Sequence, residues 1–449
     1  MSLPTYSECK DSGAPWLGVV PRHWSVRRLK NIFEIRKRIA GEVGHQVLSI
    51  TQRGVKIKDI ESNDGQLSMD YSKYQLVEPG DFAMNHMDLL TGYVDISPYA
   101  GVTSPDYRVF AIRDERDCEP RYFLYLLQNG YQQKIFYAFG QGSSEFGRWR
   151  FPTDEFKNFR FPFPPREEQS AIASFLDRET AKIDALIAEQ EKLLTLLAEK
   201  RQATISHAVT KGLNPDAPMK DSGVAWLGEV PAHWTVTRMK HLIREGIAGP
   251  YGSSLTKSMY VASGYRVYGQ QQVIPNDFSI GDYYISQDKF SEMTRYLVRP
   301  NDVLISVMGT IGRAALVPAD AEPGIINPRL VLYRVKEALI APKYLQVFIN
   351  NPTSQKYFSL AAQGTTMEGL NMVSIGELGI PLPPLDEQQE ILEFIVEETS
   401  HLDALNSEAT RAIELLKERR TALISAAVTG QIDVRNWVAP EPKAEVATA

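Results

Sequence analysis

A chain of 449 residues that is 43% hydrophobic and 23% charged has room for two to four soluble domains with buried cores. A net charge of −6 argues against a nonspecific polyanion binder, while leaving room for a specific one whose local patches or partner subunits supply the positive field. Two cysteines, Cys9 and Cys118, exclude a disulfide framework; no Cys/His cluster has zinc spacing and no run approaches 18 consecutive apolar residues, so a metal-free cytoplasmic protein without a membrane span is expected.

The first element is a frame segment over residues 1–30. Its core, Lys10-Asp-Ser-Gly-Ala-Pro-Trp-Leu-Gly-Val-Val-Pro-Arg-His-Trp24, returns as Lys220-Asp-Ser-Gly-Val-Ala-Trp-Leu-Gly-Glu-Val-Pro-Ala-His-Trp234, and 14 of the 21 positions in 10–30 are identical at an offset of 210. The repeated pairs His23-Trp24 and His233-Trp234 invite a catalytic reading. On Pro- and Gly-flanked segments they read better as packing and hydrogen-bonding elements of a connector.

Next comes a first insert over 31–160, rich in Tyr, Phe, Val, Ile, Gly and Pro in short runs broken by turn signals such as Glu78-Pro-Gly-Asp. That pattern predicts a compact β-rich α+β domain with a late helix near 121–136. Within it, Arg36-Lys-Arg38 is a basic run that suits either phosphate contact or a solvated face.

A Pro-rich corner, Phe161-Pro-Phe-Pro-Pro-Arg-Glu-Glu-Gln169, then opens a central region over 161–212, and it repeats as Ile380-Pro-Leu-Pro-Pro-Leu-Asp-Glu-Gln388 at an offset of 219. From about 167 to 209, apolar residues recur at spacings of three and four (Ile172, Leu176, Ile183, Ile187, Leu194, Leu197, Ile205, Ala208), which predicts one long helix. Acidic Glu167 and Glu168 suit its first turn, and Gly212 suits its stop. At 1.5 Å per residue this is a rod of about 63 Å.

The order then starts again. A linker and frame segment covers 213–240 and a second insert covers 241–379, with turn signal Arg299-Pro-Asn-Asp and a late helix near 342–361. A second long helix in 380–430 carries Ile391, Phe394, Leu402, Leu405, Ile413, Leu416, Ile424 and Ala427 on one face, and a tail follows in 431–449. The inserts echo each other: 74–82 resembles 295–303, Ser104-Pro105 matches Asn327-Pro328, and Gln141-Gly-Ser-Ser matches Gln363-Gly-Thr-Thr. One fold with diverged surfaces is expected twice. A rod with one apolar seam needs a partner, and the other copy is available. The fold class is therefore α+β, with two β-rich domains at opposite ends of a pair of long antiparallel coiled-coil helices and an internal pseudo-two-fold, cyclic repeat. Polar seam residues Gln190, Arg201 and Arg420 would fix register.

No Walker-type loop, strand-linked GxGxxG, Asx-Pro-Pro-aromatic methyltransferase motif, HExxH or nuclease-like acidic cluster is present, so the chain reads as non-catalytic.

These residues resemble the specificity subunit of type I restriction–modification systems along nearly the whole chain. The Trp-Leu-Gly…Pro-x-His-Trp block is similar to the family's opening motif, and the Pro-x-Pro-Pro-x-x-Glu-Gln corner to the start of its conserved region. Gly249-Pro-Tyr-Gly-Ser-Ser-Leu and Tyr268-Gly-Gln-Gln-Gln-Val273 look like the start of a target recognition domain. Glu78-Pro-Gly-Asp-Phe-Ala-Met-Asn85 with Gly101-Val-Thr-Ser-Pro-Asp-Tyr107 looks like another lineage of the same domain. The resemblance implies that each insert reads one half of a bipartite, gapped site on double-stranded DNA, with half-sites about one helical turn, ~34 Å, apart. It implies that the helices set the spacer and dock two modification (methyltransferase) subunits, and that motor–nuclease subunits join for cleavage. S-adenosylmethionine and adenine flipping for N6 methylation belong to those partners; this chain itself is expected to need no cofactor and no metal.

Base reading needs Arg, Lys, Asn or Gln at base edges, with hydroxyls and cations on phosphates. In the first insert the candidates are Gln52, Arg53, Asn85, His86, Tyr93, Ser143, Arg148 and Arg150. In the second they are Tyr251, Ser253, Ser254, Lys257, Gln270, Gln271, Arg295, Arg313 and Thr365. Two rival readings are a structural adaptor whose rod bridges protein-binding heads without nucleic acid, and a specificity subunit serving a fused methyltransferase–nuclease.

Overall fold

The computed structural model of the chain describes residues 4–60, 68, 70–142, 149–362 and 369–437. They form two compact units, one of residues 1–190 with 411–449 and one of residues 191–410. Each unit therefore holds one frame, one insert, the start of one long helix and the end of the other.

In the first unit, frame strand Ser25–Arg28 pairs antiparallel with corner strand Arg160–Phe163. In the second, Thr235–Arg238 pairs the same way with Gly379–Leu382. Each insert thus leaves and re-enters its frame through one two-stranded neck, which lets the sequence between diverge without disturbing the frame. Inside each insert lies an antiparallel four-stranded sheet of the same order. The first is Phe33–Ile35, Arg108–Ile112, Phe82–Met84, Val94–Ile96; the second is Ile243–Ala248, Leu330–Val335, Val303–Ser306, Ala314–Leu316. The shared turn before the third strand is closed by an aspartate in both. Asp81 Oδ2 accepts from Glu78 N at 2.9 Å and Asp302 Oδ2 from Arg299 N at 2.8 Å. The second insert adds a sheet of its own, Tyr284–Ile285, Tyr265–Tyr268, Gly324–Ile326, in which the last two strands run parallel.

The late helix of the first insert runs over Pro120–Gln132 and passes into a short 3-10 turn, Phe136–Phe139. The single helix expected near 342–361 is two, Pro342–Asn350 and Pro352–Ala362. Pro352 cannot donate a backbone hydrogen bond, and the Asn351 side chain instead caps the second helix by accepting from Thr353 N and Ser354 N at 2.8 and 3.1 Å.

The long helices span Arg166–Lys211 and Leu385–Val428. Their buried or half-buried positions recur at alternating steps of three and four: Ala173, Leu176, Thr180, Ile183, Ile187, Gln190, Leu194, Leu197, Arg201 in the first helix. In the second, Leu392, Ile395, Thr399, Leu402, Ala409, Ile413, Leu416 and Arg420 follow the same steps. The predicted seam residue Leu405 is not among them; it is 48% exposed, because the seven-residue step from Leu402 falls on Ala409. Buried Thr180 and Thr399 satisfy their hydroxyls on the carbonyls four residues back, at 2.6 and 2.7 Å. Gln190 is half-buried on its helix. In the first unit Arg420 of the second helix meets Asp184 of the first at 2.8 Å; in the second unit Arg201 pairs with Asp403.

The start of each helix is held by a dipeptide. Fully buried Gln169 donates from Nε2 to Asp117 O and Pro164 O at 3.0 and 2.9 Å and accepts from Glu119 N at 2.8 Å. Gln388 repeats this with Leu339 O, Pro383 O and Ala341 N at 3.0, 2.9 and 2.8 Å. Next to them Glu168 and Glu387 each bond the frame histidine, His23 or His233, at 2.8 Å. The repeated His-Trp pair is thus a joint between frame and helix. A buried tyrosine completes it. Tyr122 donates to Pro162 O at 3.4 Å and Val428 O at 3.2 Å, and Tyr344 to Pro381 O and Val209 O, both at 3.2 Å.

One asymmetry follows from the chain ends. In the first unit Asp433 N donates to Pro4 O at 2.8 Å, and the Tyr6 hydroxyl donates to Glu168 Oε1. With that oxygen engaged, buried Trp24 Nε1 has no partner among the described residues, whereas Trp234 Nε1 donates to Glu387 Oε1 at 3.0 Å. Trp234→Phe removes a made hydrogen bond and Trp24→Phe removes an orphaned donor. Thermal denaturation should therefore show Trp234→Phe as the more destabilising by about 1 kcal/mol.

Gly430 and Gly212 end the two helices with φ of +78° and +75°. A Cβ on Gly430 would lie 2.4 Å from Pro21 Cδ, and one on Gly212 3.3 Å from the Trp234 ring. Gly212→Ala should lose ~1–2 kcal/mol to left-handed strain alone. Gly430→Ala adds a backbone-anchored clash, so it should lower the melting temperature further.

Candidate nucleic-acid interface

Each insert carries a polar cleft at the same place in its fold, beside the turn that leads into the central strand of its four-stranded sheet. In the first insert that turn is Ser104-Pro105, between strands Gly101–Thr103 and Arg108–Ile112; in the second it is Asn327-Pro328, between Gly324–Ile326 and Leu330–Val335. The first cleft holds about 620 Å³, with Asn85, Asp88, Thr91, Asp106, Tyr107 and Trp149 in its wall. The second holds about 410 Å³, with Lys257, Tyr260, Gln270, Gln271, Tyr283 and Arg329.

Of the first insert's candidates, Asn85 lines the cleft. It follows strand Phe82–Met84; its Oδ1 accepts from Met87 N at 3.3 Å and its carbonyl from the Tyr131 hydroxyl at 2.7 Å. Gln52 reaches the rim by donating to Thr91 O at 3.4 Å, and Arg53 is exposed at the tip of the hairpin joining Leu48–Thr51 to Gly54–Ile57. Arg150 is exposed and holds Gln141 through a reciprocal backbone pair of 3.0 and 2.9 Å.

His86 and Tyr93 face inward. His86 Nδ1 is buried without a partner among the described residues, and burial with the nearby Arg108 guanidinium lowers its pKa to about 3, so it is neutral at physiological pH. Arg108 is itself 4% exposed, donates to Phe151 O at 3.0 Å and lies 4.4 Å from the Phe156 ring centre; burial pulls it down to about 10. These two groups belong to the packing under the sheet. Tyr93 is half-buried, its ring 6.4 Å from Tyr131, and burial raises its pKa despite the opposing field of Arg420. Ser143, Arg148 and Thr365 lie outside the described residues.

The basic run Arg36-Lys-Arg38 is largely spoken for. Arg36 bonds Asp81 at 3.0 Å, and Arg38 bonds both Asp81 and Glu78, the latter at 2.6 Å. Of its two readings, phosphate contact is weakened because two of the three cations are already neutralised inside the domain.

In the second insert the structure gathers three of the candidates, Lys257, Gln270 and Gln271, into one wall. Gln270 donates to Met308 O and to Thr310 O, the latter at 3.4 Å, which ties it to the turn after strand Val303–Ser306. Gly269 permits this: a Cβ there would meet Asn327 Nδ2 at 2.5 Å. Tyr251, Ser253 and Ser254 are exposed on a 3-10 turn at Gly252–Ser254, Arg295 is exposed on another at Thr294–Tyr296, and Arg313 is exposed with its backbone N–H on Ser306 Oγ at 3.0 Å. None of these five lines the cleft.

Arg329 was not among the sequence candidates. It is exposed, its backbone N–H donates to Asn327 Oδ1 at 2.9 Å, and its Nη1 lies 3.5 Å from Gln270 Oε1. The echo between Asn327-Pro328 and Ser104-Pro105 was the available signal, since it marks the residue after the turn. The clefts also differ in charge. The first mixes Lys58 with Asp88 and Asp106; the second has Lys257 and Arg329 and no carboxylate in its wall.

Among the described residues there is no group of three or more His, Cys, Asp or Glu side chains placed to hold a metal ion, and no helix is long and apolar enough to cross a membrane.

Comparison with known proteins identifies the family. The family model for the type I restriction modification DNA specificity domain matches residues 21–195 and 259–415, one stretch for each repeat and more than half of the chain. The chain is similar to the EcoBI type I restriction enzyme specificity subunit of Escherichia coli, at 23% identity over 63% of this chain and 60% of that protein's length. It is similar to the EcoDI specificity subunit of Escherichia coli at 21% identity, over 85% of each. A chain solved in a study of complex assembly and conformational transition of the type I R-M system has the same fold, with TM-score 0.62 and 16% identity, covering 92% of this chain and 99% of that one. Duplicated frames, necks and clefts and a family match that repeats with them lead to one conclusion: the chain belongs to the type I restriction–modification DNA specificity family.

Proposed function

We propose that this chain is the DNA-reading, non-catalytic subunit of a type I restriction–modification complex, in which each insert reads one half of a bipartite, gapped site. The observation that carries the reading is the pair of clefts. They occupy the same place in two copies of one fold, on frames whose hydrogen bonds repeat nearly atom for atom, yet their walls differ in charge and side-chain chemistry. Conserved mounting with divergent lining is what two readers of different sequences require, because base identity is read by side chains while the frame only positions them.

The long helices form an antiparallel coiled coil that sets the spacer between half-sites. The repeating three-and-four seam supports this, as do the equivalent pairs Arg420–Asp184 and Arg201–Asp403, each 219 residues from its counterpart, as register locks. The same helices dock two methyltransferase subunits. Leu186 and Leu405 are equivalent and 46% and 48% exposed; Leu196 and Leu415 are equivalent and 51% and 54% exposed. Two matched apolar patches suit two copies of one partner. The partners bring S-adenosylmethionine and methylate adenine at N6, and motor–nuclease subunits add cleavage.

Two tests follow. Methylome sequencing of cells carrying this chain with its modification subunit should show one gapped, bipartite adenine motif. Replacing residues 31–160 with a different recognition domain should change one half of it and leave the other half and the gap intact; a motif without a gap would defeat the proposal. For docking, Leu186→Asp combined with Leu405→Asp should lower copurification of the modification subunit at least tenfold, while the melting temperature of the isolated chain changes little because both positions are exposed.

A further inference from the structure

Resting on the DNA-reading function above, we propose that Arg329 reads a guanine in the half-site of the second insert, with Gln270 as the residue that positions it and Lys257 as a phosphate contact. Three observations carry this. First, the chain is acidic overall, yet the wall of the second cleft carries Lys257 and Arg329 with no carboxylate. Neither cation has an ion-pair partner among the described residues, so an anionic or acceptor-rich ligand is the missing complement.

Second, Arg329 is held at both ends. Its backbone is set by the hydrogen bond to Asn327 Oδ1 at 2.9 Å, and its Nη1 approaches Gln270 Oε1 at 3.5 Å, a long contact that shortens when the fork engages a ligand. Gln270 is in turn tied by its amide to Met308 O and Thr310 O, so its oxygen is oriented toward a donor and not free to rotate away. A guanidinium has five N–H donors. One faces Gln270, and the rest of the fork is left for a pair of acceptors. Adjacent acceptors spaced for that fork are guanine O6 and N7, which no other base presents together in the major groove. A phosphate also offers the fork two acceptors; what favours the base edge is the Gln270 amide beside the guanidinium, which a phosphate contact does not require, and Lys257 in the same wall can meet the phosphate instead.

Third, Tyr260 and Tyr283 line the same cleft with ring centres 5.0 Å apart and an interplanar angle of 31°. Tyr283 is 43% exposed, so the pair presents open ring faces on which a base or sugar can pack beside the two cations.

The test uses the assembled complex. The wild-type motif is mapped by methylome sequencing and its halves are assigned by exchanging residues 241–379. The second half should contain a guanine. Arg329→Ala should relax that one position to all four bases, a loss of roughly 10- to 100-fold in discrimination, and Gln270→Ala should relax the same position partially. In binding assays, a duplex with 7-deazaguanine at that position, which lacks the N7 acceptor, should bind the wild-type complex about tenfold more weakly and the Arg329→Ala complex no differently from guanine. Lys257→Ala should weaken all duplexes alike and lower the salt slope by about one.

A second half-site without guanine overturns the inference, as does an Arg329→Ala motif that stays unrelaxed. Uniform weakening of every duplex by Arg329→Ala, with a reduced salt slope, makes it a phosphate contact and also overturns the base assignment. In each of these outcomes a bipartite motif still appears, so the proposed function survives; absence of any bipartite motif is the separate failure of that function.

Discussion

The buried glutamine in the first turn of each long helix is the constraint on which the rest depends. Gln169 and Gln388 are fully buried, and each uses one side chain to join three segments: the corner that starts the helix, the turn between the insert's sheet and its late helix, and the N-terminus of the late helix. A buried amide is costly unless every polar atom is matched, so this contact accepts one geometry and rejects near alternatives. The adjacent Glu168 and Glu387 extend it to the frame histidines. The result is a mount whose shape is set by hydrogen bonds, with tolerance of sequence change confined to the insert beyond the neck.

That confinement explains the pattern of divergence. The four-stranded sheets keep their order and the aspartate that closes the shared turn, because these support the core of each insert. Ionic partners of the two aspartates have been rearranged. Asp81 is met by Arg36 and Arg38 from the strand region beside it, whereas Asp302 is met by Arg334 on the central strand, at 3.0 Å and almost fully buried. Both solutions neutralise the same carboxylate from different sequence positions, which is why the basic residues of the two inserts do not align although the fold does. At the cleft, where no core depends on the side chains, the chemistry differs outright.

Long helices with a polar residue repeated on the seam balance stability against register. Arg201 and Arg420 sit where an apolar residue would pack better, and each meets an aspartate of the other helix within its unit. Exposed pairs of this kind add little stability; their value lies in disfavouring shifted alignments that would leave an arginine on the seam without its aspartate. For helices with the spacing role proposed here, that selectivity matters more than the energy.

Sequence by itself determined the repeat, its cyclic order, the two long helices to within a few residues of their ends, and the α+β character of the inserts. These are legible because periodicity, caps and turn residues are local signals that act within a few positions. The helix break at Asn351 is local too, since Pro352 cannot donate and Asn351 caps the next helix, and the single helix expected near 342–361 passed over it. Two things waited for the tertiary structure. The inward placement of His86, in the turn after strand Phe82–Met84, depended on Arg108 lying beside it and on Phe151 N–H bonding its carbonyl. The cleft wall depended on Gln270 and Arg329 meeting across 59 residues of chain: the Asn327-Pro328 echo marks the turn beside Arg329, but nothing local ties that arginine to its distant partner. Local order is written in spacing along the chain; a reading surface is assembled from residues whose only relation is that the fold makes them neighbours.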